Sequence, residues 1–188
     1  YLTPPTIGKD KADHYETIGM ELDKKGQFLK ADIERIYHGK GRKTAKIITD
    51  IINHARDRNG VLIFAATIAH AYEVMLSLPP DLSRMVTGTT KQEERARILH
   101  DFSSGRCKFL VNVAVLTTGY DAPHIDMIAL LRATESVSLL QQIIGRGLRL
   151  HENKTDCLIL DYAQNIERHC PDGDIFRPVV KVKRVGSG

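Results

Sequence analysis

The sequence predicts an α/β protein in which a mostly parallel sheet is flanked by helices. Short, fully apolar runs recur at Val61–Ala65, Phe109–Val113, Met127–Leu131 and Cys157–Leu160. Runs of that length and composition are typical of strands buried on both faces of a parallel sheet. Between them lie longer stretches with apolar residues at helical spacing, so strands and helices alternate along the chain. The length of 188 residues and a hydrophobic fraction of 42% suit one domain with a sizeable core.

The first residues, Tyr1-Leu2-Thr3-Pro4-Pro5, are held extended by their prolines and read as a linker from something upstream. Residues 1–41 are expected to be a linker and helical lead-in, 42–165 the domain proper, and 166–188 a tail. Phe28–Tyr37 is expected to be helical, stopped by His38-Gly39-Lys40-Gly41. Thr44–Arg58 reads as an amphipathic helix with Ile47, Ile48, Ile51, Ile52 and Ala55 on one face, ended by Gly60. Its early basic cluster, Lys40, Arg42, Lys43 and Lys46, fits a solvated helix start and also fits phosphate contact. After the Val61–Ala65 strand, Thr67 stands where an N-cap belongs, ahead of a helix over Ala69–Leu78 that Pro79-Pro80 stops.

Arg84–Thr87 reads as a strand, with Gly88 as its turn. Thr90-Lys91-Gln92-Glu93 has the form of a capping box opening a helix with Ile98, Leu99 and Phe102 inward. Ser103-Ser104-Gly105 closes it. The Phe109–Val113 strand leads to the loop Thr117–Asp121, and the Met127–Leu131 strand to a helix over Ser136–Ile144. That helix should deliver Gly145-Arg146-Gly147-Leu148-Arg149 as a tight turn. Ile175–Val185 alternates well enough for a β-hairpin or an edge addition.

Composition narrows the function. No apolar run approaches the ~20 residues that span a bilayer. No signal-peptide pattern opens the chain. Cys107, Cys157 and Cys170 are an odd set without a CxxC pair, and the eight histidines include no HExxH; reduced thiols in a cytoplasmic protein and no metal site are expected. A net charge of +4 and a pI near 9.0 permit a nucleic-acid partner.

Chemistry concentrates in two places. Ligands of open α/β sheets bind beyond the carboxyl ends of the strands. Gly119 there would admit backbone close to a ligand and Asp121 would accept from a ribose hydroxyl; a tight turn with Asp121 as a cap fits equally. Arg146 and Arg149, at i and i+3, present guanidinium forks that match phosphate oxygens, as an arginine finger does. The same spacing fits a helix end whose cations complement the dipole. No GxxxxGK[ST] phosphate loop and no acidic Walker B run appears in the chain, so alone it is expected to hydrolyse no ATP.

Taken together, the motifs carry a family likeness. Leu116–Pro123 (LTTGYDAP) resembles motif V of the superfamily-2 helicases, and Gln142–Arg149 (QIIGRGLR) resembles their motif VI. Val61–Ala71 looks like motif IV, and Val86-Thr87-Gly88 with Arg95 looks like the block that follows it. The resemblance spans about residues 42–163 and implies the second, three-layer RecA-like domain of an ATP-dependent helicase. The flanks, Tyr1-Leu2-Thr3-Pro4 and Lys154–Ala163, look like the RadD-like family of bacterial DNA-repair helicase-like proteins. Carried over residue by residue, the likeness implies that Gly119 and Asp121 meet the nucleotide. Gln142 links nucleotide and nucleic-acid sites, and Arg146 and Arg149 reach the γ-phosphate across a cleft. Thr67, Thr87, Gly88, Thr117 and Thr118 meet the nucleic-acid backbone. The implied ligands are ATP and Mg2+, bound mainly by an upstream RecA-like domain, and the implied partner is DNA. One departure is that Val113 and Ala114 stand where many relatives place a polar residue. A restriction-type translocase subunit and a non-catalytic nucleic-acid or protein-docking module are the other readings of the same residues.

Overall fold

The computed structural model describes residues 2–113 and 122–176. They form one sheet of six strands in the order β1-β6-β5-β2-β4-β3, and every strand pair is parallel. The strands are β1 Pro5–Ile7, β2 Gly60–Phe64, β3 Ser83–Val86, β4 Phe109–Asn112, β5 Ile125–Leu130 and β6 Cys157–Asp161. The helices are α1 Lys30–Tyr37, α2 Gly41–His54, α3 Ile68–Ser77, α4 Gln92–Ser103, α5 Val137–Gly147 and α6 Asn165–His169. The pleat of β2 sorts its side chains into two cores. Val61, Ile63 and Ala65 join Ile47, Ile48, Ile51 and Val74 of α2 and α3. Leu62 and Phe64 join Ile98, Phe102, Leu140, Ile143 and Ile144 of α4 and α5. Helix, sheet and helix are the expected three layers.

The prolines hid one strand. Pro5 begins β1, and β1 pairs with β6 along Pro5–Cys157, Thr6–Leu158 and Ile7–Ile159. An edge position tolerates proline because one side of the strand needs no donor. Beyond β1 the lead-in stays packed on the domain. Tyr15 is fully buried, its amide donating to the Tyr162 carbonyl at 2.7 Å. Thr17 is also buried, its hydroxyl donating to the Ala163 carbonyl.

Helix α2 starts three residues before Thr44 and stops at His54, short of Arg58. The cause is competition at its end. The Asp126 carboxylate accepts from the Asn59 and Gly60 amides, and Asp156 takes the Arg58 guanidinium at 2.6 Å. Those contacts pull residues 58–60 into the start of β2 instead of a further helical turn. Leu22 and Phe28 make one antiparallel bridge in the lead-in. No described residue of the expected C-terminal hairpin is in a strand, and positions 177–185 lie outside the described residues.

A buried polar chain ties the lead-in to two helices. The Ala66 amide donates to His70 Nδ1 at 3.1 Å, which leaves Nε2 to donate to the Tyr15 hydroxyl at 2.9 Å. That hydroxyl shares a 2.7 Å bond with Thr44. Burial holds His70 down to about 3, well below its ordinary 6.5, so it stays neutral in the folded domain. Because the unfolded chain takes up a proton below pH 6.5 and the folded one does not, His70 costs nothing above that pH. Below it, stability falls until about pH 3. By pH 5 the loss is about 2 kcal/mol. Asp161, raised by burial, works in the opposite sense, so the effect is read as a difference. Urea unfolding of His70→Gln should show lower stability at pH 7.5 and a shallower decline to pH 5 than the unaltered domain; equal declines would refute this account.

Candidate functional site

The carboxyl ends of β2, β4 and β3 form one rim. Thr67 follows β2 and caps α3, its hydroxyl accepting from the His70 amide at 3.0 Å in the expected way. Thr87 follows β3 but is only 5% exposed. Its amide donates to Thr90 Oγ1 at 2.9 Å, and its hydroxyl pairs with that of Thr89 at 3.0 Å. Thr90 is therefore not the N-cap of α4, as the capping-box pattern predicts; Lys91 holds that position without a side-chain bond. The turn after β3 competes for the Thr90 hydroxyl and wins it. Gly88 is exposed, and a β-carbon added there meets nothing within 4 Å. Strand β4 ends at Asn112 between β2 and β3. Val113, half-buried, donates its amide to the Val86 carbonyl. Thr117, Thr118, Gly119 and Asp121 lie outside the described residues.

Helix α5 starts from a well-anchored loop. Thr134, fully buried, donates both its amide (2.7 Å) and its hydroxyl (3.0 Å) to Asn165 Oδ1. The Asn165 amide group donates in turn to the Arg132 carbonyl and to Asp161. Asp161 also accepts from the Ala163 and Ile166 amides. Ser136 then caps α5, accepting from the Leu139 amide at 3.1 Å. Sequence reasoning missed this network; its only signal is Asp161 at a strand end with Asn165 four residues on.

The helix runs further than expected. Instead of a tight turn from Gly145, it continues to Gly147, with Leu148 as its C-cap. Leu140, Ile143, Ile144 and Gly147 are buried against the sheet. Gly147 permits that approach: a β-carbon would overlap Cys157 Sγ and lie 2.9 Å from Ile128 Cδ1. Gly145 faces open space. The tight contact on one side of the helix leaves Gln142 and Arg146, at i and i+4, on the other, Gln142 exposed and Arg146 half-buried. Arg149 is exposed and sits just past the helix, so it is not the helical i+3 neighbour of Arg146 that the spacing predicts. Its carbonyl accepts from Thr3 Oγ1 at 2.9 Å and from Lys154 Nζ at 2.6 Å. Thr3 also donates its amide to the Leu148 carbonyl, so the lead-in helps fix this end.

At ~1.5 Å per residue the 11 residues of α5 cover roughly 16 Å. The helix begins near the carboxyl ends of β5 and β6 and finishes beside Cys157, where β6 starts. The rim carrying Thr67 and Gly88 and the end carrying Arg146 and Arg149 are thus opposite edges of the domain, with Gln142 between them. Among the described residues no three of His, Cys, Asp or Glu are grouped to hold a metal ion. The three cysteines are free and buried, and burial pushes the Cys107 and Cys157 thiols up to about 11 and about 12.

The family model described as "Helicase conserved C-terminal domain" matches residues 43–151. The "Putative mitochondrial ATP-dependent helicase irc3" of Schizosaccharomyces pombe is 42% identical over 120 residues, 62% of this chain and 20% of that protein. The EcoKI endonuclease subunit, a type I restriction enzyme subunit of Escherichia coli K12, is 30% identical over 183 residues, 88% of this chain and 16% of that protein. Each match therefore spans a fifth or less of the relative's length. Among solved structures, a fragment of a "putative HsdR subunit of a type I restriction enzyme" from Vibrio vulnificus YJ016 superposes with a TM-score of 0.64 at 24% identity, covering 86% of this chain and 32% of that one. The C-terminal domain of the DEAD-box protein Dbp5 does so at 0.54 and 21%, covering 64% and 69%.

Proposed function

Since the chain belongs to the helicase conserved C-terminal domain family of the superfamily-2 helicases, we propose that it is the second RecA-like motor domain of an ATP-dependent DNA helicase or translocase. An upstream RecA-like domain of the same protein would carry the phosphate loop. The observation that carries the reading is the side of α5 that holds Gln142 and Arg146, with Arg149 just past the helix end, an edge away from the Thr67 and Gly88 rim. A motor needs those two edges separate, one for nucleotide and one for the strand it moves along, and a rigid helix joining them.

In this reading Arg146 and Arg149 present their forks to phosphate oxygens, whose geometry guanidinium matches in two-point contact. Gly119 and Asp121 meet the rest of the nucleotide, and Gln142 stands between that site and the strand. Thr67, Gly88, the Thr87 turn, Thr117 and Thr118 take the nucleic-acid backbone. Mg2+ goes with the phosphates to the upstream domain, as the resemblance implies, because Mg2+ is held through one or two carboxylates and the phosphates themselves. The likeness of the flanks to RadD-like proteins supports DNA as the track and repair in the cytoplasm as the setting. A second reading, the translocase subunit of a restriction-type enzyme, is favoured by one observation: the EcoKI likeness runs through 88% of the chain, beyond the family-model segment. The two readings share their chemistry and differ in the modules attached.

The test is ATP turnover by the full-length protein with single-stranded, duplex and branched DNA. Turnover should rise on adding DNA, while the 188-residue chain alone stays at background. Turnover by the full-length protein that ignores every nucleic acid would refute the motor assignment.

A further inference from the structure

We propose that the first two turns of α2 form a further contact for the phosphate backbone of the bound strand, separate from the motif residues; this rests on the nucleic-acid reading above. From His38 to Thr49 the sequence holds Lys40, Arg42, Lys43 and Lys46 and no carboxylate. Lys40, Arg42 and Lys46 are exposed, and no ion pair involving them occurs among the described residues. Lys43 is different, half-buried and 4.0 Å from Asp13, so its charge is partly matched. Three unmatched cations in seven residues therefore stand out on a chain whose net charge is only +4.

Their position gives the cluster its meaning. Helix α2 runs antiparallel to the strand it feeds, so its start lies at the carboxyl-end rim. The buried chain fixes this: Thr44 of α2 and His70 of α3 both bond the Tyr15 hydroxyl, at 2.7 and 2.9 Å. The His70 amide is in turn the one capped by Thr67. The basic turns thus stand beside Thr67, linked to it through one hydroxyl and one ring. From Lys40 to Lys46 the helix rises ~9 Å, more than a single phosphate group spans, which fits a continuous strand. Lysine and arginine meeting phosphates release counterions, supply affinity without reading sequence, and make binding depend on salt. A cluster that is only a solvated helix start does none of this.

The experiment uses the full-length protein and a labelled single-stranded oligonucleotide, with binding titrated against salt. The variant K40Q/R42Q/K46Q removes charge and keeps length, while K40R/R42K/K46R keeps charge. The glutamine variant should lower the slope of log Kobs against log salt by about 2, at about 0.7 per lost contact on a single strand. Its affinity near 0.1 M salt should fall roughly ten- to hundredfold. The charge-keeping variant should retain both. A glutamine variant with unchanged slope and affinity overturns this contact and leaves the nucleic-acid reading standing. Equal loss in both triple variants also overturns it, by showing that shape and not charge was altered. Failure of the unaltered protein to bind any strand overturns both readings together.

Discussion

If Arg146 and Arg149 act as proposed, replacing either with alanine in the full-length protein is expected to lower kcat for ATP hydrolysis by at least ~10²-fold, with a smaller change in ATP affinity. The reason is where the charge appears. Fingers that act on charge developing in the transition state contribute to rate far more than to ground-state binding. Arginine fingers supplied in trans to GTPases are worth roughly 10³–10⁵ in rate, which sets the scale. Lysine should rescue poorly at either position, because a point charge cannot reproduce a two-point fork. The two sites should differ in stability. Arg146 lies on the last turn of α5, where a cation complements the dipole by only ~0.3–1 kcal/mol. Arg149 is held through its backbone carbonyl by Thr3 and Lys154, a contact that survives loss of the side chain. Melting temperature, kcat and nucleotide affinity measured on the same variants decide the matter. Near-normal turnover in both folded alanine variants would end the finger assignment.

Gly147→Ala is expected to destabilise the domain by about 1–3 kcal/mol, the usual cost of forcing atoms into a packed core. The added carbon collides with Cys157 Sγ and Ile128 Cδ1, which belong to β6 and β5 and lie on the sheet itself. The helix must therefore lift at the end that positions both arginines, and turnover should fall along with stability. Cys157→Ala in the same chain removes the sulfur and should restore part of the loss, despite the cavity it opens. Gly145→Ala is the control: its β-carbon points into open space, and alanine favours helix by ~1 kcal/mol over glycine. Denaturant unfolding of the four proteins gives the comparison, and equal effects at Gly145 and Gly147 would contradict the packing described. If Gly145→Ala folds normally yet turns over ATP poorly, the open space belongs to the upstream domain or its nucleotide.

The parts legible in the sequence were those set by local pattern. Consecutive apolar residues gave away β2, β4, β5 and β6, and Thr67 announced the start of α3 because capping needs only neighbours in the chain. The parts that were not legible depend on distant partners. Nothing local says that Asp126 and Asp156 will take the end of α2, or that the Thr87 amide will claim the Thr90 hydroxyl. Pro4-Pro5 hides β1 because proline argues against a strand everywhere except at an edge, and edge position is a property of the finished sheet. At the candidate site, the Gln142, Arg146 and Arg149 spacing was readable, whereas the Asn165 support beneath it joins residues about 30 apart.

Strand β1 also sets a timetable. Its partner is β6, and Thr6 and Asp156, joined by a 2.6 Å bond, are 150 positions apart in the chain. A ribosome adding about 5–20 residues per second needs roughly 8–30 s to make that stretch. Throughout that interval the β1 segment has no β6 edge to pair with, and closing so long a loop is slow compared with local helix formation. Helices α2 and α3 and strands β2 to β5 can assemble in the meantime. Among the six strands of this sheet, the earliest made is therefore the last to find its place, and the Thr3 clamp on Arg149 closes with it.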